Sequence, residues 1–287
     1  MCCRVGRRFL TFLLIISIFL TSSYCIAFAA DPDVQTDPDV LLEDGMRYLL
    51  GDGVDQDLLK GITMIAQAAN EGSARAMIQV GIMYKTGLGK LLSEDFVDGT
   101  AADCALSWYI KAAESGEREA AAAIISSDAF TYFLGSEDGS IPEDDATALK
   151  YFEKAAEYGD PEAINMMAAF FTYGFGVEHD PDKALELSSQ LADEGNAEAL
   201  LSMEENAYAY YAGTKDGIDI NFATAFQYYL KLTEYGNERA MYNVALLYEF
   251  GLGTPTDHEK ALEWLTKAQE AGYEPASVML TQLTNNN

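Results

Sequence analysis

The chain has 287 residues, 46 of them Asp or Glu and 18 Lys or Arg, for a formal net charge of −28; apolar residues make up 49% and aromatic ones 11%. That acidity argues against nucleic acid and anionic membrane surfaces as partners, since both present phosphate to a surface of the same sign. With two histidines in the whole chain, a metal centre or histidine-based catalysis has little to draw on.

Residues 1–30 are predicted to be an export signal. Arg4, Arg7 and Arg8 form a basic start, Phe9 to Leu20 an apolar run too short to span a bilayer comfortably, and Ala27-Phe28-Ala29 a small-x-small cleavage site. An uncleaved membrane anchor is the rival reading. Cleavage takes Cys2, Cys3 and Cys25 with it, leaves Cys104 as the single thiol and moves the formal charge to −31. Stability then rests on a packed core rather than on disulfides. Residues 31–38 read as a polar leader without a core of its own.

From residue 39 onward the chain repeats itself. Gly-x-x-x-Ala occurs at Gly72/Ala76, Gly116/Ala120, Gly159/Ala163, Gly195/Ala199, Gly236/Ala240 and Gly272/Ala276, with successive glycines 44, 43, 36, 41 and 36 residues apart. Eight residues before each glycine stands a large apolar residue: Met64, Trp108, Tyr151, Leu187, Tyr228 or Trp264. A small residue lies three before it (Gly61, Ala105, Ala148, Ala184, Ala225, Ala261), and Ala68, Ala112, Ala155, Leu191, Leu232 or Ala268 lies four after, so all three fall on one helical face. If Trp264 is core, its replacement by alanine costs about 3 to 5 kcal/mol.

Ser73, Asp160, Asn196 and Asn237 after the glycines are helix starters, and the helices they open end at Gly87-Leu88-Gly89, Gly174-Phe175-Gly176 or Gly251-Leu252-Gly253. A second set of caps follows at Asp57, Asp144, Asp180, Asn221 and Asp257. Each unit is therefore a two-helix hairpin that cannot bury both faces alone. The expected fold is an all-α solenoid of stacked antiparallel hairpins, with units at about 39–72, 73–116, 117–159, 160–195, 196–236 and 237–272 and a capping helix at 273–284.

The pattern resembles the Sel-one-like repeat family, relatives of the tetratricopeptide repeats. In the last unit Ala240, Val244, Ala245, Tyr248, Gly251, Gly253, Asp257, Lys260, Ala261, Trp264, Lys267, Ala268 and Gly272 stand at the family's positions. Two places depart from it. Asp128 in the third unit stands where the family has a small residue, and Glu204 in the fifth where it has glycine, so the helix registers there are open.

The resemblance implies a right-handed superhelix whose first helices line a concave face that recognises protein or peptide. Carried over by position, that face comprises Ile78, Ile82 and Lys85; Asn165 and Thr172; Leu201, Glu205 and Tyr208; and Tyr242, Leu246 and Glu249. Leu201, Tyr208, Tyr242 and Leu246, bordered by Glu205 and Glu249, suit an amphipathic basic segment. The alternative is that these residues fill gaps between hairpins.

No G-x-S-x-G, H-E-x-x-H or S-x-x-K sequence is present, and Gly87-Leu88-Gly89-Lys90 lacks the rest of a phosphate loop. Acidic runs such as Glu137-Asp138 and Glu143-Asp144-Asp145 lack the ligand spacing of a calcium loop. The expectation is thus a periplasmic or secreted, non-enzymatic adaptor without a cofactor or metal, binding a protein or peptide, with a basic one suited to its charge. A hydrolase of the family's β-lactamase-labelled branch is the alternative.

Overall fold

The computed structural model describes residues 37–91, 101–136, 139, 141–215 and 217–285. The predicted signal, nearly all of the leader and the Glu137-Asp138 pair lie outside the described residues. The chain divides after Asp37, and the unit from Pro38 onward is all helical among the described residues. Its helices are α1 (Pro38–Leu50), α2 (Leu58–Asn70), α3 (Ala74–Lys85), α4 (Ala101–Glu114), α5 (Arg118–Leu134), α6 (Asp145–Glu157), α7 (Pro161–Tyr173), α8 (Pro181–Asp193), α9 (Ala197–Ala212), α10 (Phe222–Glu234), α11 (Glu238–Phe250), α12 (His258–Glu270) and α13 (Glu274–Asn285).

The caps follow the side chains. Asp57, Asp144, Asp180, Asn221 and Asp257 each accept a hydrogen bond from the backbone N–H three residues on, at the starts of α2, α6, α8, α10 and α12. Ser73, Asp160, Asn196 and Asn237 cap α3, α7, α9 and α11 in the same way, accepting from an N–H two or three residues on. These bonds satisfy N–H groups that the helix itself leaves unpaired. Gly72, Gly116, Gly159, Gly195, Gly236 and Gly272 all have positive φ, between 78° and 120°, which lets the chain reverse within two or three residues. Gly89 breaks this pattern. It sits buried in a 3₁₀ turn, Leu88–Leu91, against the Tyr84 ring rather than at a left-handed stop.

Each helix packs on the next in sequence, most closely within the pairs α1–α2, α3–α4, α5–α6, α7–α8, α9–α10 and α11–α12. The small positions predicted from sequence account for that closeness. A β-carbon on Gly61 of α2 would lie 2.7 Å from the Gly45 carbonyl oxygen of α1, and one on Gly81 of α3 would lie 2.4 Å from the Tyr109 ring of α4. Ala105, Ala148, Ala184, Ala225 and Ala261 are buried at the corresponding places.

The core is a chain of overlapping clusters. Met77 joins the α1–α3 cluster to the α3–α5 cluster, Met167 joins α4–α7 to α7–α11, and Trp264 joins that one to the last, at α11–α13. Tyr151, Leu187 and Tyr228 are buried in it as expected, whereas Met64, Trp108 and Trp264 are half-buried. In those three units the next residue takes the deepest place: Ile65, Tyr109 and Leu265. The two indoles lie along the seam with one face inward, and Lys111 and Lys267 extend over the other, 4.1 and 4.0 Å from the ring centroids.

Half-burial lowers the expected cost of removing Trp264. Trp264→Ala is expected to destabilise by about 1–3 kcal/mol and Tyr228→Ala, which also loses the hydrogen bond from its hydroxyl to Pro181 O at 3.2 Å, by about 3–5 kcal/mol. Urea unfolding of the two variants side by side checks the order.

Candidate partner-binding face

The first helices α3, α7, α9 and α11 share a register, and α5 is turned by one residue from it. Ala76, Ala163, Ala199 and Ala240 are buried, and the residues two, six and nine places further on fall along one stripe of each helix. Along this stripe the predicted residues differ in fate. Leu201 and Tyr208 on α9 are 63% and 45% exposed. Glu205 between them is exposed and takes a 3.1 Å ion pair from Lys215. On α11, Tyr242 and Leu246 are half-buried, and Glu249 Oε2 lies 2.8 Å from His258 Nδ1. Tyr242 leans on Tyr273 ahead of α13, ring centroids 5.2 Å apart, and burial first, then the neighbouring phenol, raises its pKa.

The remaining predicted residues are placed otherwise. Ile78 is 6% exposed, covered by Ala112, Ala113 and Ala121, and belongs to the core. Thr172 is fully buried; its hydroxyl donates to Ala168 O at 2.8 Å with Tyr228 of α10 beside it. Both are removed from any accessible face, Ile78 by α4 of its own hairpin together with α5, and Thr172 beside α10 of the next hairpin. Ile82 and Asn165 are half-buried. Lys85 is engaged: its ammonium pairs with the carboxylate of Asp128 on α5, so it bridges two hairpins instead of waiting for a partner.

The two departures from the repeat pattern are both explained by contacts between hairpins. In α5 the buried alanine is Ala121 and not Ala120, which turns the helix by one residue. That register places Asp128, 4% exposed, where other hairpins have Met83, Phe170 and Leu247, a large core position rather than a small one. Burial raises the Asp128 pKa, and Lys85 and the Tyr109 hydroxyl oppose the rise. Glu204 occupies the place of Gly81, Ala168 and Ala245, and it reaches the following hairpin, taking 3.1 Å and 3.4 Å hydrogen bonds from Arg239 and Asn237. Ser126, at the same place in α5, donates to Asp160 of the next hairpin. The face of α5 that belongs to the stripe is therefore Ala123, Ser127 and Phe130. The run EAAAA hid them, because four consecutive alanines fit any of several registers.

Among the described residues there is no grouping of His, Cys, Asp and Glu suited to a metal ion, and no helix is long and apolar enough to cross a membrane. What the geometry offers is a surface on α9 and α11, with exposed Leu201 and Tyr208 beside half-buried Tyr242 and Leu246 and the carboxylates Glu205 and Glu249 at its borders.

This architecture defines an all-α array of repeated two-helix units. The sequence profile of the Sel1 repeat matches residues 38–73, 74–117, 129–160, 161–196, 197–236 and 238–273, and the chain belongs to the Sel1 repeat family. The unmatched residues 118–128 are the turned first part of α5. Among curated proteins the chain is similar to chitin synthase regulatory factor 4 of Schizosaccharomyces pombe, 33% identical over 153 residues that cover 53% of this chain and 23% of that protein. It is also similar to the ERAD-associated E3 ubiquitin-protein ligase component HRD3A of Arabidopsis thaliana, 34% identical over 124 residues, 40% of this chain and 18% of that protein. The chain spans a quarter or less of the length of these two relatives. A Sel1 repeat protein from Oxalobacter formigenes, known from a crystal structure, is 28% identical, with 83% of this chain and 87% of that one covered and a TM-score of 0.36.

Proposed function

We propose that the protein is an exported, non-enzymatic scaffold that binds a protein or peptide segment across the first-helix stripe of α9 and α11. The observation that carries this reading is the outward pair Leu201 and Tyr208, a seven-residue spacing that sets both on one side of α9 at 63% and 45% exposure. Large apolar and tyrosine side chains left in water on a rigid helix are the groups that supply most of the energy in protein interfaces. The acidic surroundings favour a partner of opposite charge, so binding falls as salt rises. The two curated relatives, a regulatory factor and a ligase component, bear names that describe work on or within other protein machinery, which agrees with this reading. Export, to the periplasm or the cell exterior, is proposed from the basic start and apolar run of residues 1–30.

The test uses the double variant Leu201→Ala, Tyr208→Ala. Tyr242 is a poorer choice, since its loss also disturbs the packing of Tyr273. A partner captured from periplasmic extract by the full chain and then titrated against both proteins is expected to bind the double variant at least about tenfold more weakly. The variant's unfolding free energy should change by no more than an ordinary surface substitution does, about 0.5 kcal/mol. Unchanged binding, or a fall in stability that matches the loss of binding, counts against the face as a recognition site.

A further inference from the structure

The stripe continues on α5 into a cleft of about 590 Å³ between α5 and the turn from α6 to α7. Ser127 and Phe130 form one side, and Tyr158, Asp160 and Glu162 the other, with Glu119 at the rim. Its charged lining groups are all carboxylates. Asp160 is committed, accepting from the Ser126 hydroxyl and, at 3.0 Å, from the Glu162 backbone N–H. The Glu119 and Glu162 carboxylates make no hydrogen bond or ion pair with another described residue, and both are exposed to the cleft's solvent. The start of α7 carries about half a unit of positive charge and Arg118, at the Tyr158 wall, a full unit, which three carboxylates together outweigh.

The cleft also has aromatic walls, and one of them already holds a cation of this chain: the Arg118 guanidinium lies over the Tyr158 ring, 5.6 Å from its centroid. We infer that the cleft receives an arginine side chain of the bound peptide, an inference that rests on the scaffold reading and adds a second contact to it. A guanidinium presents planar, forked donors that two carboxylates satisfy together while its face packs on an aromatic ring; the ammonium of lysine is a point charge that does neither as well. The volume falls within the range of sites that enclose a small ligand, so it accommodates the arginine and part of the backbone on either side.

Calorimetric titration of the full chain at low ionic strength with a blocked Gly-Arg-Gly peptide tests this. Saturable binding is expected, with at least about tenfold weaker binding to Glu119→Gln, Glu162→Gln and none to Ser127→Trp, which fills the cleft. Both variants alter exposed side chains, and an unchanged melting curve shows that they remain folded. The Leu201→Ala, Tyr208→Ala variant should bind the tripeptide as the parent does, which separates this site from the α9–α11 stripe. No saturable binding, equal binding of Gly-Glu-Gly or Gly-Lys-Gly, or undiminished binding to the Gln variant overturns the inference, whatever the outcome for the stripe.

Discussion

Gly253→Ala is expected to destabilise the protein by more than about 3 kcal/mol, although it adds only one methyl group. Gly253 has φ +72°, and a β-carbon there would lie 2.2 Å from the Phe222 carbonyl oxygen, 2.3 Å from its carbon and 2.5 Å from the Ala223 nitrogen. These are backbone atoms at the start of α10, in the preceding hairpin, and they cannot swing aside as a side-chain tip can. Gly236 gives the control, with φ +78° and nothing within 4 Å of the added carbon. Gly236→Ala therefore carries only the conformational strain, about 1–2 kcal/mol, and the difference between the two urea midpoints isolates the cost of holding hairpins apart. Equal losses would mean that the turn of the sixth unit does not press on the fifth.

The second large effect is at the junction of the second and third hairpins. Lys85→Met leaves the buried carboxylate of Asp128 without its counter-charge and is expected to cost about 3–5 kcal/mol at pH 7. The cost is smaller in acid, where the carboxyl takes up a proton. The pH dependence has a definite sign. Asp128 has its folded pKa raised above the ordinary 3.8, first by burial, so the folded state holds the proton more tightly. Its favourable contribution is complete below the unfolded pKa and is lost as pH rises through the folded one. Asp128→Asn cannot ionise and so escapes that loss. Its stability relative to the parent should improve as pH is raised from about 3 to 7, and a relative stability that falls over this range would show that the ion pair outweighs the burial.

Most of the architecture is legible in the sequence because each hairpin writes the same rules. A cap residue, a small–large–small face and a terminal glycine recur along the array, and each is a local consequence of helix geometry. What could not be read is tertiary. Lys85 and Asp128 are 43 residues apart, and nothing in either segment announces the pair. The alanines from Ala120 to Ala123 give α5 no unique face, so packing and the Ser126–Asp160 bond selected the register. Trp108 and Trp264 match the family position, yet two consecutive residues on each second helix share the interior, and in those units the smaller neighbour went deeper.

The candidate face was less legible than the fold for the same reason. A position two, six or nine residues after the buried alanine lies on one helical stripe, but the residues packed around it in space decide whether it meets water. Ile78 and Thr172 are covered, Leu201 and Tyr208 are not, and the difference lies in the residues that other helices, of the same hairpin or the next, bring against them.

The stacking itself is open to a direct measurement. Residues 196–236 contain α9 and α10, and the core they contribute, Met203, Tyr210, Tyr228, Tyr229 and Leu232, is buried together with side chains from α7, α8 and α11. Circular dichroism of 196–236 alone is predicted to show little helix and no cooperative melt, while 160–272, with a neighbour on each side, is helical and melts as one transition. An isolated 196–236 that is fully helical and melts cooperatively would contradict the view that each hairpin depends on the next for its core.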